Sequence, residues 1–469
     1  MKMKKIYCFL LVLVACVFGL TVQAQQAGPV DFMRMNPYQL KAHPAADLPY
    51  ESVMSLVIGN IGLDVHNTTL RYNNLFDFDA QGRPTAYNLR KLANSLDERN
   101  FVGLDVNLDI FTLYRRLKTG LLTIDYGVKA QADARFNDGL FQLLGYGNAA
   151  FVGDNHPAKV NADVNAMLYH ELAVGYQWNL NERLSLGGRA KLLFGVGDVN
   201  TQTVDVKLFT DPESYALRLE EDILVRTSMP SAITLKDGVI GGNGGFSASD
   251  LFHNPGFGVD FGAEYRFNDR FSAVAAVRDL GFFRWSANNI EMKGSVHDAG
   301  QFYADGDFLF NGLDVNQLQL IVSDEAYRKQ FLDTLQQYFK IDYERGERYT
   351  TFLNTNLLLR GNYDLDAYNR FSAQLQGCFY GSGFRPALTL AYNGNFYKKL
   401  DVCVTYTMMP GSYDNIGLGI AGRFFKTCNV YLTTNNVIGL FKPMNASAMN
   451  LRLGIVFVLR PEDNDHLYD

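Results

Sequence analysis

Cysteine is scarce: there are five in 469 residues, and only Cys378, Cys403 and Cys428 lie beyond the apolar N-terminus. Three widely spaced thiols inside strand-like runs cannot form a disulfide framework. Histidine is also sparse, at seven, and scattered without a metal-ligand spacing, so no metal is expected. Basic charge is in deficit. With 43 Lys and Arg against 49 Asp and Glu, the formal net charge is −6, which argues against a nucleic-acid partner. Catalytic signatures are missing too. There is no Gly-x-Ser-x-Gly elbow, and GVIGGNGG (238–245) reads as a loop connection rather than a phosphate cradle. Neither an enzyme nor a cofactor is expected. Finally, after the N-terminus no run approaches the ~18 apolar residues of a membrane-crossing helix.

The start of the chain is MKMKKIYCFLLVLVACVFGLTVQAQQ. Lys2, Lys4 and Lys5 precede an apolar stretch, and Val22-Gln23-Ala24 offers small residues for cleavage before Gln25, so residues 1–24 read as a signal peptide. Leu13-Val14-Ala15-Cys16 suggests the alternative of lipidation at Cys16, but the apolar run continues past it.

A two-residue alternation dominates the rest. In GFGVDFGAEYRF (256–267), Phe257, Val259, Phe261, Ala263, Tyr265 and Phe267 share one face. Gly258, Asp260, Gly262, Glu264 and Arg266 share the other. The same pattern recurs in 168–180, 183–196, 400–408 and 450–460, with further strands near 102–114, 121–135, 271–280, 351–361, 371–380, 386–396 and 415–425. Such runs are about twice the ~5–6 residues of ordinary strands and match the ~9–11 needed to cross a bilayer. A basic side chain facing lipid near the midplane would cost ~2–4 kcal/mol, so the apolar face is assigned to lipid and the charged face to a lumen. With no helix to cross, only a closed barrel satisfies the backbone in lipid.

Tight polar turns, WNLNERLS (178–185), YRFNDRFS (265–272), NFYKKLDV (395–402) and RFFKTCNV (423–430), are placed at the periplasmic side, opposite longer glycine-rich connections at 137–166, 237–255 and 295–347. The expected fold is all-β: a transmembrane antiparallel barrel of about 14 strands, with 16 possible if 200–226 adds a hairpin rather than an external extension. It carries an N-terminal plug segment and helices in external loops. The domain division is a signal peptide (1–24), a plug-like segment (25–50), the barrel (51–460) and a polar periplasmic tail (461–469). AYNLRKLANSLDER (86–99) and SDEAYRKQFLDTLQQYFK (323–340) read as external helices; in the second, Tyr327, Phe331, Leu335 and Tyr338 form one apolar stripe.

Strand parity lines the lumen with Asp125, Lys129, Asp133, Arg135, Arg189, Lys191, Asp260, Glu264, Arg266, Arg278, Arg360, Arg423 and Arg452. This mixture of signs fits an ion-pair network in a filled barrel better than a charge-selective channel.

Arg452-Leu453-Gly454-Ile455-Val456-Phe457-Val458-Leu459 resembles the last-strand signal read by the barrel-assembly machinery. Residues 33–76, closing on Tyr72-Asn73-Asn74-Leu75-Phe76, resemble a Bacteroidota family of outer-membrane proteins with a domain of unknown function. That family in turn is similar to the FadL-type long-chain fatty-acid transporter barrels. The resemblance implies an Asn-Pro-Ala hatch in the lumen and sideways release of hydrophobic substrates. Two candidates for the hatch element are Asn36-Pro37-Tyr38, which lacks the alanine, and His43-Pro44-Ala45, which lacks the asparagine. The expected partners are outer-membrane lipids, the assembly machinery and a small hydrophobic ligand, with a monomeric barrel. A porin for polar solutes and a non-transporting adaptor for secretion or surface assembly remain alternatives.

Overall fold

Alternation this regular builds one closed wall in the computed structural model. It describes residues 28–461 except 35, 47–51, 70, 154, 214–216, 237–238, 243–246, 297–316, 318–319, 322–323, 325, 328–329, 331–341, 381–382, 398, 410–411, 425–426, 442–445 and 447. The expected signal peptide, 1–24 with Cys16, and the expected tail past 461 lie outside the described residues.

The barrel has 14 antiparallel strands. They are β1 (Ser52–Asn67), β2 (Asn100–Leu117), β3 (Gly120–Phe136), β4 (Ala158–Asn179), β5 (Leu184–Thr210), β6 (Asn254–Arg266) and β7 (Phe271–Trp285). There follow β8 (Thr355–Asp364), β9 (Asn369–Tyr380), β10 (Gly383–Phe396), β11 (Leu400–Met409), β12 (Ser412–Phe424), β13 (Cys428–Thr434) and β14 (Ala448–Pro461). Closure is explicit: Leu56 of β1 faces both Phe457 of β14 and Leu113 of β2.

Parity holds where it was read. On β6, Phe257, Phe261 and Tyr265 are exposed outward while Asp260 and Glu264 are buried inward. Short turns gather at one rim and share a mechanism. The Asn181 side-chain oxygen accepts from the backbone N–H groups of Arg183 and Leu184, and Asn268 does the same for Arg270 and Phe271. Asp366 repeats it for Tyr368 and Asn369. A side chain that takes the place of a turn's backbone acceptor fixes a tight reversal.

At the opposite rim, the outer half of β5 leaves the wall. It pairs with Leu217–Ser228, which pairs with Asn289–Val296, which pairs with Asp342–Arg345. The described residues of 200–226 therefore form an extension beyond the barrel rather than two more wall strands, with a core of Val206, Leu208, Leu219, Ile223 and Val225. Within the lumen lie two short helices, α1 (Pro29–Phe32) and α2 (Gln39–Ala42). Outside it, α3 (Leu89–Ser95), capped by Asn88, packs on α4 (Gly139–Tyr146) through Leu89, Leu92 and Phe141. Of the second expected external helix, Tyr327 is described and helical, whereas Phe331, Leu335 and Tyr338 lie outside the described residues.

Candidate functional site

The described N-terminal residues, 28–46, thread the lumen, and almost every side chain is buried. Val30, Leu40 and Ala46 pack on Val57, Tyr114, Leu121, Tyr431 and Val456 of the wall. Phe32 and Met33 cover Ala391 and Cys403. The wall is shaped for this segment: a Cβ on Gly187 would fall inside the Pro44 backbone, and one on Gly262 would lie 3.1 Å from the Pro44 ring. Both hatch candidates lie in this segment. Asn36 is buried and accepts from the Tyr38 N–H at 3.0 Å, turning the chain between the two helices. His43 is buried with Pro44 and Ala45 against β5 and β6.

Charge fixes the segment in place. Lys41 Nζ lies 2.8 Å from Asp109 and 3.3 Å from Asp125. From there one chain of ion pairs crosses the wall: Asp125 to Arg189 at 2.7 Å, Arg189 to Asp260 at 2.8 Å, Asp260 to Lys191 at 2.7 Å and Lys191 to Asp279 at 2.5 Å. Lys129 extends it, 3.9 Å from Asp279 and 2.8 Å from Glu171. On the far side, Arg360 donates to the Asp31 carbonyl at 3.0 Å and covers the Phe32 ring at 4.3 Å. Arg452 lies 3.5 Å from Asp64 and donates to the Tyr38 hydroxyl. Arg278 reaches the Lys41 carbonyl at 3.4 Å. Burial alone would lower the Lys41 ammonium, but Asp109 and Asp125 outweigh it and hold it above the ordinary lysine value. Burial, reinforced by Arg360, Arg370 and Arg278, holds the His43 imidazole well below 6.5.

Of the lumen candidates, Arg189, Lys191, Asp260, Arg278, Arg360 and Arg452 meet in these contacts, and Glu264 accepts from Ser272 at 3.2 Å. Two do not join. Arg266 is exposed beside the 266–271 turn, and Arg423 lies at the same rim with Asn36, Lys399 and Asp401. Both follow inward parity, but strand ends reach past the lumen interior. Sequence reasoning missed Lys41, Asp109 and Asp279. Asp279 has φ 57° and sits where the register with β6 shifts, so Arg278 and Asp279 both turn inward. The one signal was two adjacent charges in an alternating strand, one of which would otherwise face outward.

Two cavities among the described residues bear on the lumen and its wall. The first, about 60 Å³, is polar and lies between the plug and the ion pairs, with Asp31, Tyr38, Lys41, Lys191 and Arg452 on its wall. It has room for water and little else. The second, about 600 Å³, sits at the junction of β7 with β8. There Tyr349–Phe352 continues the line of β8 along β7, and the strand is interrupted at Leu353 and Asn354, of which Leu353 still donates to the Gly281 carbonyl at 3.0 Å. Its lining draws on both faces of the wall: the outward Phe257, Leu280, Phe282, Phe352 and Phe379, and the inward Asn165, Met167, Asp198 and Leu353. Behind it stands a buried aromatic layer, with Trp285 stacked on Phe283 at 5.2 Å and Tyr169 packed on Phe283 at 5.0 Å.

Fold and contents together define a class: a closed 14-stranded barrel filled by its own N-terminal chain and an ion-pair chain. The protein belongs to a family of unknown function (DUF5723), whose profile matches residues 44–435. No curated protein matches it. Among solved structures it is similar to a Pseudomonas aeruginosa FadL homologue, at 9% identity over 94% of this chain and 100% of that one, TM-score 0.43. It is also similar to the Pseudomonas putida toluene transporter TodX, at 8% identity over 93% and 98%, TM-score 0.36. A third is a Rhodopseudomonas blastica porin triple mutant, at 10% identity over 86% and 99%, TM-score 0.22.

Proposed function

We propose that the protein is an outer-membrane transporter of small hydrophobic molecules. In this reading the short-turn rim faces the periplasm, the plug closes the axial path, and cargo moves between the outer lumen and the membrane through the β7–β8 junction. The observation that carries it is the cavity of about 600 Å³ lined from both faces of the wall. That volume is in the range of small-molecule sites, and its body is aromatic and aliphatic. A porin for polar solutes would need a wet axial path; the polar cavity between plug and ion pairs holds about 60 Å³. The barrel's exposed apolar face, with Phe261, Leu359 and Leu375 all more than half exposed, supports placement in lipid.

Two tryptophans make the test direct. Trp178 is exposed at the short-turn rim, while Trp285 is fully buried and donates to Thr351, a lining residue, at 2.6 Å. In a Trp178→Phe protein reconstituted in uncharged vesicles, the quencher 1-bromododecane is expected to quench Trp285 saturably. Absent quenching, or quenching that rises only linearly with quencher in the membrane, would refute the site.

A further inference from the structure

The inner end of the wall cavity carries an asymmetry of charge and hydrogen bonding. Its lining includes one acid, Asp198, and no lysine, arginine or histidine among the described residues. Asp198 is 3% exposed and has one hydrogen bond, accepted from the Tyr349 hydroxyl at 2.9 Å, with no ion pair among the described residues. The neighbouring amides are turned to one another. Asn200 donates to Asn165 at 2.8 Å, and Asn165 donates to Asp163 at 3.0 Å. Gln202 in turn donates to the Asn200 oxygen. Thr351 adds a neutral hydroxyl that accepts from Trp285. The one acid of the described lining stands here with the neutral Thr350 and Thr351 hydroxyls and the Asn354 amide, beside an apolar body of Phe257, Phe282, Phe352 and Leu353.

We infer that this cavity takes amphiphiles whose polar end donates a hydrogen bond, such as an alcohol, phenol or amine, and rejects those ending in a carboxylate. The inference rests on the transport reading above and specifies its cargo. A donor head satisfies the free Asp198 oxygen. Where Asp198 is ionised, an anionic head would place like charges together in a buried site whose described lining holds no cation. At an effective dielectric near 20, two such charges several ångströms apart repel enough to shift affinity by about tenfold or more.

The experiment uses the Trp178→Phe protein in uncharged vesicles, with 1-bromododecane as reporter and 1-dodecanol, dodecylamine and dodecanoate as competitors. All are compared at equal membrane concentration. Dodecanol and dodecylamine are expected to relieve quenching at least about tenfold more effectively than dodecanoate. In Asp198→Asn, dodecanol and dodecylamine should lose their advantage over dodecanoate. Barrel folding is verified by the heat-dependent shift of the band on a gel. Equal or better competition by dodecanoate overturns the inference and leaves the transport reading standing. A rank order unchanged in folded Asp198→Asn also overturns it. Failure of 1-bromododecane to quench saturably overturns both.

Discussion

Lys41 is the residue on which plug seating turns, and replacing it with methionine isolates its charge. The ammonium lies 2.8 Å from Asp109 and 3.3 Å from Asp125, and its side chain is 12% exposed. Breaking a buried ion pair costs ~3–5 kcal/mol, because the abandoned partner stays charged and dry. Here the low end applies. Asp125 keeps Arg189 at 2.7 Å, and Asp109 keeps the Asn60 amide at 2.5 Å. About 3 kcal/mol corresponds to a factor of about 150 in the seating equilibrium. The chain contains its own reporter, since Cys403 is fully buried beneath Phe32 and Met33. With Cys378 and Cys428 replaced by serine, a membrane-impermeant maleimide should label Cys403 roughly 150-fold faster in Lys41→Met than with Lys41 present. Adding Asp109→Asn removes the orphaned charge and should recover most of that loss. Labelling of folded Lys41→Met at the original rate would refute the claim that this contact seats the plug.

Three further outcomes follow from the same contacts. His43 is held well below 6.5 in the seated state, so only the unseated segment gains a proton as pH falls through 6.5. Seating should weaken below that pH by up to ~1.4 kcal/mol per unit; Cys403 labelling, normalised to a free thiol, should accelerate at pH 5, and His43→Gln should flatten the profile. Gly187→Val places a side chain inside the Pro44 backbone and should expose Cys403 while the barrel still forms, which labelling of heat-shifted protein would check. Asp260 is fully buried and holds both Arg189 and Lys191, so Asp260→Asn should destabilise the barrel by ~3–5 kcal/mol in a urea refolding titration.

The wall was legible because its rule is local. Every second residue of β6 meets a different medium, so Phe257 and Asp260 declare their sides without any partner in view. The turns at Asn181 and Asn268 are local as well, each formed by one side chain and the two N–H groups that follow. The lumen's wiring was legible only in part. Arg189, Lys191 and Asp260 follow parity, but Asp279 enters through a bulge that a period of two cannot represent, and Lys41 arrives on a segment without strand pattern. The wall cavity was hidden for a different reason. It depends on the strand breaking at Leu353 and Asn354 opposite that bulge, a pairing between strands some 70 residues apart. The stretch 351–361 reads as one continuous strand from its residues alone.

The central claim is that the lumen is sealed by the chain's own N-terminal segment. Single-channel recording in a planar bilayer tests it most directly, with the full protein beside a form lacking residues 28–46. The full protein is expected to be silent, and the truncated barrel to conduct steadily in proportion to salt. Steady conductance from the full protein would contradict the seal, and silence from a folded truncated barrel would show that something other than this segment closes the lumen.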